Sequence, residues 1–455
     1  MLLGRLKKPI VVVIFLIMPL TLNQYGAPEA AGSKEKWHLL TSSNRFSQPA
    51  SAISYLTCHF KYRNWQANEN KSLAFTRVEL YRDGTYLNGT YTNINGDLTY
   101  GPIASPCNVV CWIYTRTEAS RVTVLDYFTQ LSYSEATPPI EIPTGQNVTF
   151  NHSFSDAGQG FTVFSFDSGL SRGWHYIYNE TESDITEAVA EYPYDVGGRA
   201  RYDPDTQHIY LPTNTYNYTD TILHEYGHYA MHFVFNWYWP PNSSIPIYNV
   251  TGCTNPYLAW TEGWAYYFPL AVKNSGSFNG WWDNYEFENN SWATPCWNDS
   301  DTVIGRVTGA LFDLYDSQKD APPWNYDSPI TGGFNRTWQI MKDVPSNFAS
   351  FWVRWNGTYY SHPKNDSDPY NQTDWTNTLL SIFQNSIDYR GQGDVEVDGV
   401  VDGSDNCIVA WRFGSWEGPP PSPRWDYLSD LNHDCVIDGA DLAIVAQHFG
   451  ESCDC

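Results

Sequence analysis

Basic residues are scarce in this sequence. It contains 26 Lys and Arg against 50 Asp and Glu, which gives a formal net charge of −24. Nucleic-acid phosphates are bound by clustered Lys and Arg, and the only basic cluster here, Arg5 to Lys8, lies at the extreme N-terminus. The composition therefore argues against a nucleic-acid partner and favours a soluble surface that attracts cations.

Long hydrophobic runs are missing from the chain after its N-terminal segment. After Leu22, no stretch approaches the about 18 apolar residues that a membrane-spanning helix requires. Residues 1–31 are predicted to be a secretory signal peptide, because Arg5, Lys7 and Lys8 precede an apolar stretch that small residues follow. An uncleaved signal anchor is the alternative, since that stretch is long. We expect a secreted, extracellular protein associated with the cell surface.

Cysteines and glycosylation motifs agree with export. The chain has 9 cysteines, an odd number that suits an oxidising compartment and leaves one thiol unpaired or bonded to another molecule. Cys253 with Cys296 and Cys107 with Cys111 are candidate pairs. A glycosylated surface is expected from the N-x-[ST] motifs at Asn88, Asn147, Asn151, Asn217, Asn249, Asn298, Asn335, Asn356 and Asn371.

Residues 32–166 are predicted to form an antiparallel β-sandwich. Apolar and polar residues alternate there with a period of two, and turn signals such as Asn95 to Asp97 separate the alternating segments. The piece Thr92 to Tyr100 resembles the strand-turn-strand signature of transthyretin-like and carboxypeptidase-regulatory-like modules. That resemblance implies a spacer or adhesion module in front of a second, α+β domain at residues 167–390.

The second domain is predicted to place a strand directly before a helix. Ser183 and Asp184 are candidate caps of a helix that runs through Glu191, and residues 208–211 have the pattern of a strand. Residues 218–220 then offer a cap for a helix that carries His224.

That helix carries the HExxH pattern of zinc peptidases. His224 and His228 are four residues apart, so both imidazoles project from one helical face and can bind a single Zn²⁺. Glu225 then points at the metal-bound water, as a general base requires. Of the candidate third ligands, His232 lies too far along the same helix, and Glu262 lies further along the chain in an apolar stretch between Trp260 and Trp264.

Together, HEYGH at residues 224–228 and TEGWAYYF at residues 261–268 resemble the gluzincin, or thermolysin-like, peptidases. The resemblance implies a zincin-like domain in which His224, His228 and Glu262 bind zinc and Glu225 activates a zinc-bound water for peptide hydrolysis. It also implies that the strand before the zinc helix is an edge strand lining the cleft. Many gluzincins have Asp four residues after the ligating Glu, whereas this chain has Tyr266, so support for a ligating histidine must come from elsewhere.

Residues 391–455 contain an internal repeat of a twelve-residue acidic loop followed by an apolar helix. Side-chain oxygens stand at loop positions one, three, five, nine and twelve, and position seven offers a carbonyl, as in EF-hand calcium loops. The predicted Ca²⁺ ligands are Asp394, Glu396, Asp398, Val400, Asp402 and Asp405 in loop 1, and Asp430, Asn432, Asp434, Val436, Asp438 and Asp441 in loop 2.

The duplicated loop and helix, with Asp at position twelve, resemble a type I dockerin. That resemblance implies a small α-helical module that calcium folds and that binds a cohesin-type domain on a surface or scaffold protein. The leading hypothesis is thus a docked zinc endopeptidase acting on peptide or protein substrates. A catalytically inactive adhesion or structural protein on a peptidase-like scaffold is the alternative, and a carbohydrate-active assembly component is a third, although no carboxylate pair for glycoside chemistry stands out.

Overall fold

A computed structural model describes most of the chain. The described residues are 52–64, 69–117, 121–154, 159–215, 218–243, 249–281, 284–287, 300–316, 333–359, 372–418 and 420–452. The predicted signal peptide lies outside them. Within these ranges, none of the helices combines the length and apolarity needed to cross a membrane.

The N-terminal region consists of short strands whose alternating residues face a shared apolar core. In the strand that begins at Cys107, every second residue is buried, as the period-two pattern predicts. In chain order the strands are Ala52–Asn64 (β1), Glu69–Ser72 (β2), Arg77–Arg82 (β3), Thr85–Tyr91 (β4), Asp97–Ser105 (β5), Cys107–Tyr114 (β6), Arg116–Thr117 (β7), Val122–Asp126 (β8), Ser134–Ala136 (β9), Ile140–Ile142 (β10) and Val148–Phe154 (β11).

These strands are distributed over more than one sheet. The first sheet has the order β11-β1-β2 with β5 also pairing with β1, and the second has the order β10-β6-β3-β4 with β9 pairing with β6. The pairing is mostly antiparallel, but β1 and β11 run parallel, which the predicted antiparallel sandwich did not include.

Strands β7 and β8 instead join the sheet of the following domain. After helix α1 (Gln159–Thr181) come β12 (Ala188–Tyr192), β13 (Arg201–Asp203) and β14 (His208–Tyr210), and the sheet order is β13-β14-β12-β8-β7. This sheet therefore contains strands from both sides of residue 166, because β8 pairs with β12 in parallel. The helix predicted through Glu191 was wrong, because residues 188–192 form a central strand between β8 and β14.

Helices pack on this sheet around a core rich in aromatic side chains. They are α2 (Thr219–Val234), α3 (Pro256–Lys273), α4 (Ile304–Asp313), α5 (Gly333–Met341), α6 (Phe348–Tyr359) and α7 (Gln372–Phe383), with a hairpin of β15 (Ser277–Asn279) and β16 (Asn284–Glu286) and a 3₁₀ turn at Ser300–Thr302. Trp260, Trp264 and Trp338 are fully buried in this core. Asn356 is also buried and accepts a hydrogen bond from Trp375, so this glycosylation motif is not on the surface.

The C-terminal module contains two copies of a unit made of an acidic loop and a helix. It contains α8 (Gly403–Arg412), β17 (Ser415–Trp416), a 3₁₀ turn at Tyr427–Ser429, β18 (Val436–Ile437) and α9 (Gly439–Gln447). β17 pairs with β18, and α8 packs on α9. Residues 51–455 form one compact unit, so this module is part of the same body as the rest of the described chain.

Two of the cysteine pairs expected from the sequence were wrong. Cys107 and Cys111 are both free, and both lie in the extended strand β6, where residues four apart are separated by about 13 Å. Cys253 is also free, and Cys296 lies outside the described residues.

Candidate metal centre

Helix α2 presents both histidines of the HExxH motif to a buried site. His224 and His228 lie one turn apart, and their rings meet edge to face with centroids 4.8 Å apart. Both side chains are buried. The four-residue spacing therefore places the two imidazoles side by side, as the sequence predicts.

Helix α3 brings Glu262 against these histidines. Its Oε2 atom lies 3.3 Å from His224 Nε2 and 3.5 Å from His228 Nε2. One ligand atom from each of the three residues lies within 4.8 Å of the others, which makes them a candidate metal-binding group. Two nitrogens and one carboxylate oxygen are a donor set that suits Zn²⁺ and leaves a coordination position open.

Close contact between α2 and α3 makes this approach possible. A Cβ atom at Gly227 would lie 3.0 Å from Phe268 Cβ and 3.3 Å from Ala265 Cα. Trp264 Nε1 donates a hydrogen bond of 2.9 Å to the Gly227 carbonyl. Glycine inside the HExxH motif thus lets the helix that carries Glu262 pack directly on the helix that carries the histidines.

Helix α3 has sequence-encoded ends. Asn255 caps it, since its side chain accepts hydrogen bonds from the backbone N–H groups of Tyr257 and Leu258. Pro256 occupies the first turn, and Asn274 ends the helix in the left-handed conformation. These signals fix the helical position of Glu262.

Glu225 is buried beside the same group and is held by the edge strand of the sheet. Its Oε2 atom accepts a hydrogen bond of 2.7 Å from the backbone N–H of Tyr202 in β13. Burial raises the pKa of Glu225, and the neighbouring Glu262 adds to this, although the two histidines oppose it. A carboxylate with a raised pKa next to a metal-binding group is placed to accept a proton during catalysis.

Glu262 and His228 each favour the charged form of the other. Burial works against a charged Glu262, but His228 and His224 outweigh it and lower the pKa of that carboxyl. Burial also lowers the pKa of His228, but the Glu262 carboxylate outweighs that effect and raises it. The carboxylate thus attracts positive charge to the place where these donor atoms could hold a metal cation.

Aromatic rings surround the ligating histidines. Tyr266 lies edge-on to His224 at 4.5 Å between ring centroids, and Trp239 lies 5.8 Å from His228. The Nδ1 atoms of both histidines are buried and make no hydrogen bond. Tyr266, four residues after Glu262, therefore contacts the imidazole of His224 through its ring.

His232, which the sequence placed too far along the helix, and Arg306 both lie outside the metal-binding group. His232 Nδ1 is 2.7 Å from the Tyr202 hydroxyl and is not one of the three grouped ligands. Arg306 is buried in α4 and donates a hydrogen bond to Ser386. These contacts place His232 against Tyr202 and link Arg306 of α4 to the turn that follows α7.

Sequence reasoning missed Tyr202 and Trp239. Strand β13 has three residues, too few for a period to be visible, and it precedes the strand that the sequence predicts. The resemblance placed residues 208–211 in the edge strand, and this was wrong. Residues 208–210 form β14, which lies between β12 and the outermost strand, β13.

In the C-terminal module, both acidic loops have the same hydrogen-bond pattern. Asp394 accepts from the backbone N–H groups of residues 398 and 399, and Asp430 accepts from those of residues 434 and 435. Asp405 accepts from residues 395, 396 and 402, and Asp441 accepts from residues 431, 432 and 438. The repeat in the sequence is therefore a repeat in the backbone.

Carboxylates crowd together in these loops. Oxygen atoms of Glu396, Asp402 and Asp405 lie within 4.8 Å of one another. Burial, reinforced by neighbouring carboxylates, raises the pKa of Asp394 and raises that of Asp430 to about 7. Such groups favour a bound cation, which removes the cost of holding like charges together.

Comparisons with known proteins add a family to this geometry. Residues 169–368 match the model of the Mycolysin C-terminal domain. The matched range contains His224, Glu225, His228 and Glu262 but neither acidic loop, and it covers less than half of the 455 residues. The match suggests a secreted zinc peptidase family. No curated protein matches the chain.

Two solved structures are similar over parts of the chain. A 5-hydroxyisourate hydrolase from Klebsiella pneumoniae shares 16% identity over 23% of this chain and 92% of its own, with a TM-score of 0.14. A 9R-lipoxygenase from Cyanothece PCC8801 shares 12% identity over 32% of this chain and 25% of its own, with a TM-score of 0.15. Neither similarity carries an argument about this protein.

Proposed function

We propose that this chain is a secreted zinc endopeptidase. The observation that supports it most is the convergence of His224, His228 and Glu262 beside the buried carboxylate of Glu225. Zinc bound by these donors would polarise the peptide carbonyl and make a water molecule acidic enough to attack near neutral pH. The family match over residues 169–368 supports the same class of activity.

The protein groups have separate roles in this proposal. Glu225 accepts the proton of the attacking water and later returns it to the leaving amine. The Tyr202 backbone N–H orients this carboxylate. Among the described residues β13 is the outermost strand at one edge of its sheet, and we propose that an extended peptide pairs with its outer edge. The aromatic wall of Tyr266 and Trp239 limits access of bulk water to the histidines.

Activity and metal content of one variant test this proposal. Glu225→Gln keeps the shape of the side chain and is not one of the three ligands, so zinc content should equal that of the wild type while cleavage of an unfolded protein falls at least about a hundredfold. Glu191→Gln, which changes a buried carboxylate on β12, is the matched control and should remain active. Zinc-loaded wild type that cleaves no unfolded protein would favour the inactive adhesion scaffold.

We further propose that the C-terminal module binds Ca²⁺ and attaches the peptidase to a cohesin-type domain. The matching hydrogen bonds of Asp405 and Asp441 and the crowded carboxylates of loop 1 support the calcium sites. Exposed aromatic side chains at the helix ends, Trp411 (62%) and Phe449 (56%), support a surface for a protein partner.

Calorimetric titration of the purified protein with Ca²⁺, followed by a binding assay against a cohesin-type domain, tests the attachment. We expect calcium binding at both loops and capture of the partner that a chelator reverses. Binding of calcium without capture of the cohesin-type domain would leave the module as a structural element of the peptidase.

A further inference from the structure

Two cysteines of the N-terminal sandwich meet across its core. Cys58 lies in β1 of the first sheet, and Cys111 lies in β6 of the second sheet. Both side chains are fully buried in the same apolar cluster, and the thiol of Cys58 makes a hydrogen bond with the thiol of Cys111. Side chains from facing sheets thus bring two sulfur atoms together.

Both cysteines lie on strands with neighbours on either side. Cys58 is opposite Leu98 of β5 and Phe150 of β11, and Cys111 is opposite Leu80 of β3. A bond between the two sulfurs would therefore link a central strand of one sheet to a central strand of the other. Disulfides in this position fasten the sheets of other β-sandwiches.

Cys107 is a natural control within the same strand. Like Cys58 and Cys111, it is buried in the sandwich core, and its thiol is free in this structure. It lies four residues before Cys111 and therefore faces the same side of β6. Burial in the sandwich is thus common to all three cysteines, whereas contact between thiols is described for Cys58 and Cys111.

We propose that Cys58 and Cys111 form an inter-sheet disulfide in the exported protein. The two thiols lose two protons and two electrons and gain one S–S bond. The electrons reduce the disulfide of a thiol–disulfide oxidant to two thiols, through a mixed disulfide with one of the two cysteines. This modification is independent of the metal sites.

Oxidation precedes closure of the sandwich. The hydrogen bond to Cys111 and burial both raise the pKa of the Cys58 thiol far above its ordinary range. Because the thiolate is the attacking species, the closed sandwich reacts slowly, and solvent oxidants have no access to either sulfur. The bond must form while the chain is still folding.

Alkylation of the full-length protein, purified from an oxidising compartment, tests the bond. The protein is unfolded in guanidinium with an alkylating reagent and no reductant, digested and analysed by mass spectrometry. We expect a peptide pair joined through Cys58 and Cys111, lighter by two hydrogen atoms than the free peptides, and alkylated Cys107. Alkylation of both Cys58 and Cys111 before reduction would overturn the proposal.

Thermal unfolding with and without reductant gives a second readout. Reductant should lower the midpoint of the sandwich transition by about 10 °C in the wild type and in Cys107→Ala. Cys58→Ala should start from a lower midpoint and show no further loss at that transition. Cys435 is disulfide-bonded. Every variant contains this bond, so the effect of reducing it is the same in all of them. Equal sensitivity to reductant in Cys58→Ala and the wild type would contradict the bond.

Discussion

The two candidate metal sites of this protein are built by opposite means. At the centre on α2 and α3, the ligands are side chains of helices, and the Nδ1 atoms of His224 and His228 make no hydrogen bond. In the C-terminal loops, Asp405 and Asp441 each accept several backbone N–H groups. Helix packing positions the ligands of the first site. In the second site, hydrogen bonds from the loop backbone position the carboxylates.

This difference predicts how each site depends on its ion. Helices α2 and α3 are fixed by a large aromatic core, so the three-residue group should persist without metal. The C-terminal module has a small core of its own, and its carboxylates repel one another. The C-terminal module should therefore lose stability without a cation, whereas the zinc site should lose only its ion.

Removal of the third zinc ligand should have the largest effect. Glu262→Gln leaves only the two histidines to bind the metal. Loss of a residue that merely orients a ligand lowers metal affinity up to about a hundredfold, so loss of this ligand should lower zinc affinity by more than that. Competition with a chromophoric chelator measures the affinity. The unfolding temperature of the metal-free protein should change little, and a large loss of stability would show that Glu262 is chiefly a structural residue.

In loop 1, two carboxylates should separate structure from calcium binding. Asp405→Ala removes the acceptor of three backbone N–H groups and should destabilise the module by about 3 kcal/mol even without calcium. Glu396→Ala changes an exposed side chain of the same cluster and should lower calcium affinity alone. Chemical denaturation in a chelator and in calcium distinguishes the two variants, and equal behaviour would contradict the separation.

The pH dependence of the calcium-free module should follow Asp430. Its pKa is raised from 3.8 to about 7 in the folded protein, so folding favours the protonated acid. This stabilisation is fully present below about pH 4. It is lost as the pH rises through about 7, and the total loss is roughly 4 kcal/mol. Unfolding midpoints in a chelator should show this fall, and saturating calcium should remove it. A flat profile in the chelator would contradict it.

Ring packing at His224 should give the smallest effect. Tyr266→Leu removes the ring that lies 4.5 Å from the imidazole, and zinc affinity should fall about tenfold because the ligand is less well oriented. Tyr266→Phe keeps the ring and should keep the affinity. If Phe weakens zinc binding as much as Leu does, the tyrosine hydroxyl and not the ring supports the site.

Local spacing made parts of this architecture predictable. The positions of His224 and His228 follow from helical periodicity. The duplication of the acidic loop, with Asp405 and Asp441 at equivalent positions, is visible in the sequence. Contacts between distant segments were not predictable. The parallel pairing of Val122–Asp126 with residues 188–192 outweighed the helix signals before Glu191, and no short-range pattern places Tyr202 beside Glu225.

The C-terminal module is attached to the helical domain at both of its loops. Thr376 donates to the carbonyl of Val397, Arg390 donates to that of Leu428, and His433 lies 3.7 Å from Asp388. If a partner binds this module, no flexible linker would separate that partner from the domain that carries the candidate zinc site. Mechanical tension on the proposed attachment would reach α7 and its neighbours directly.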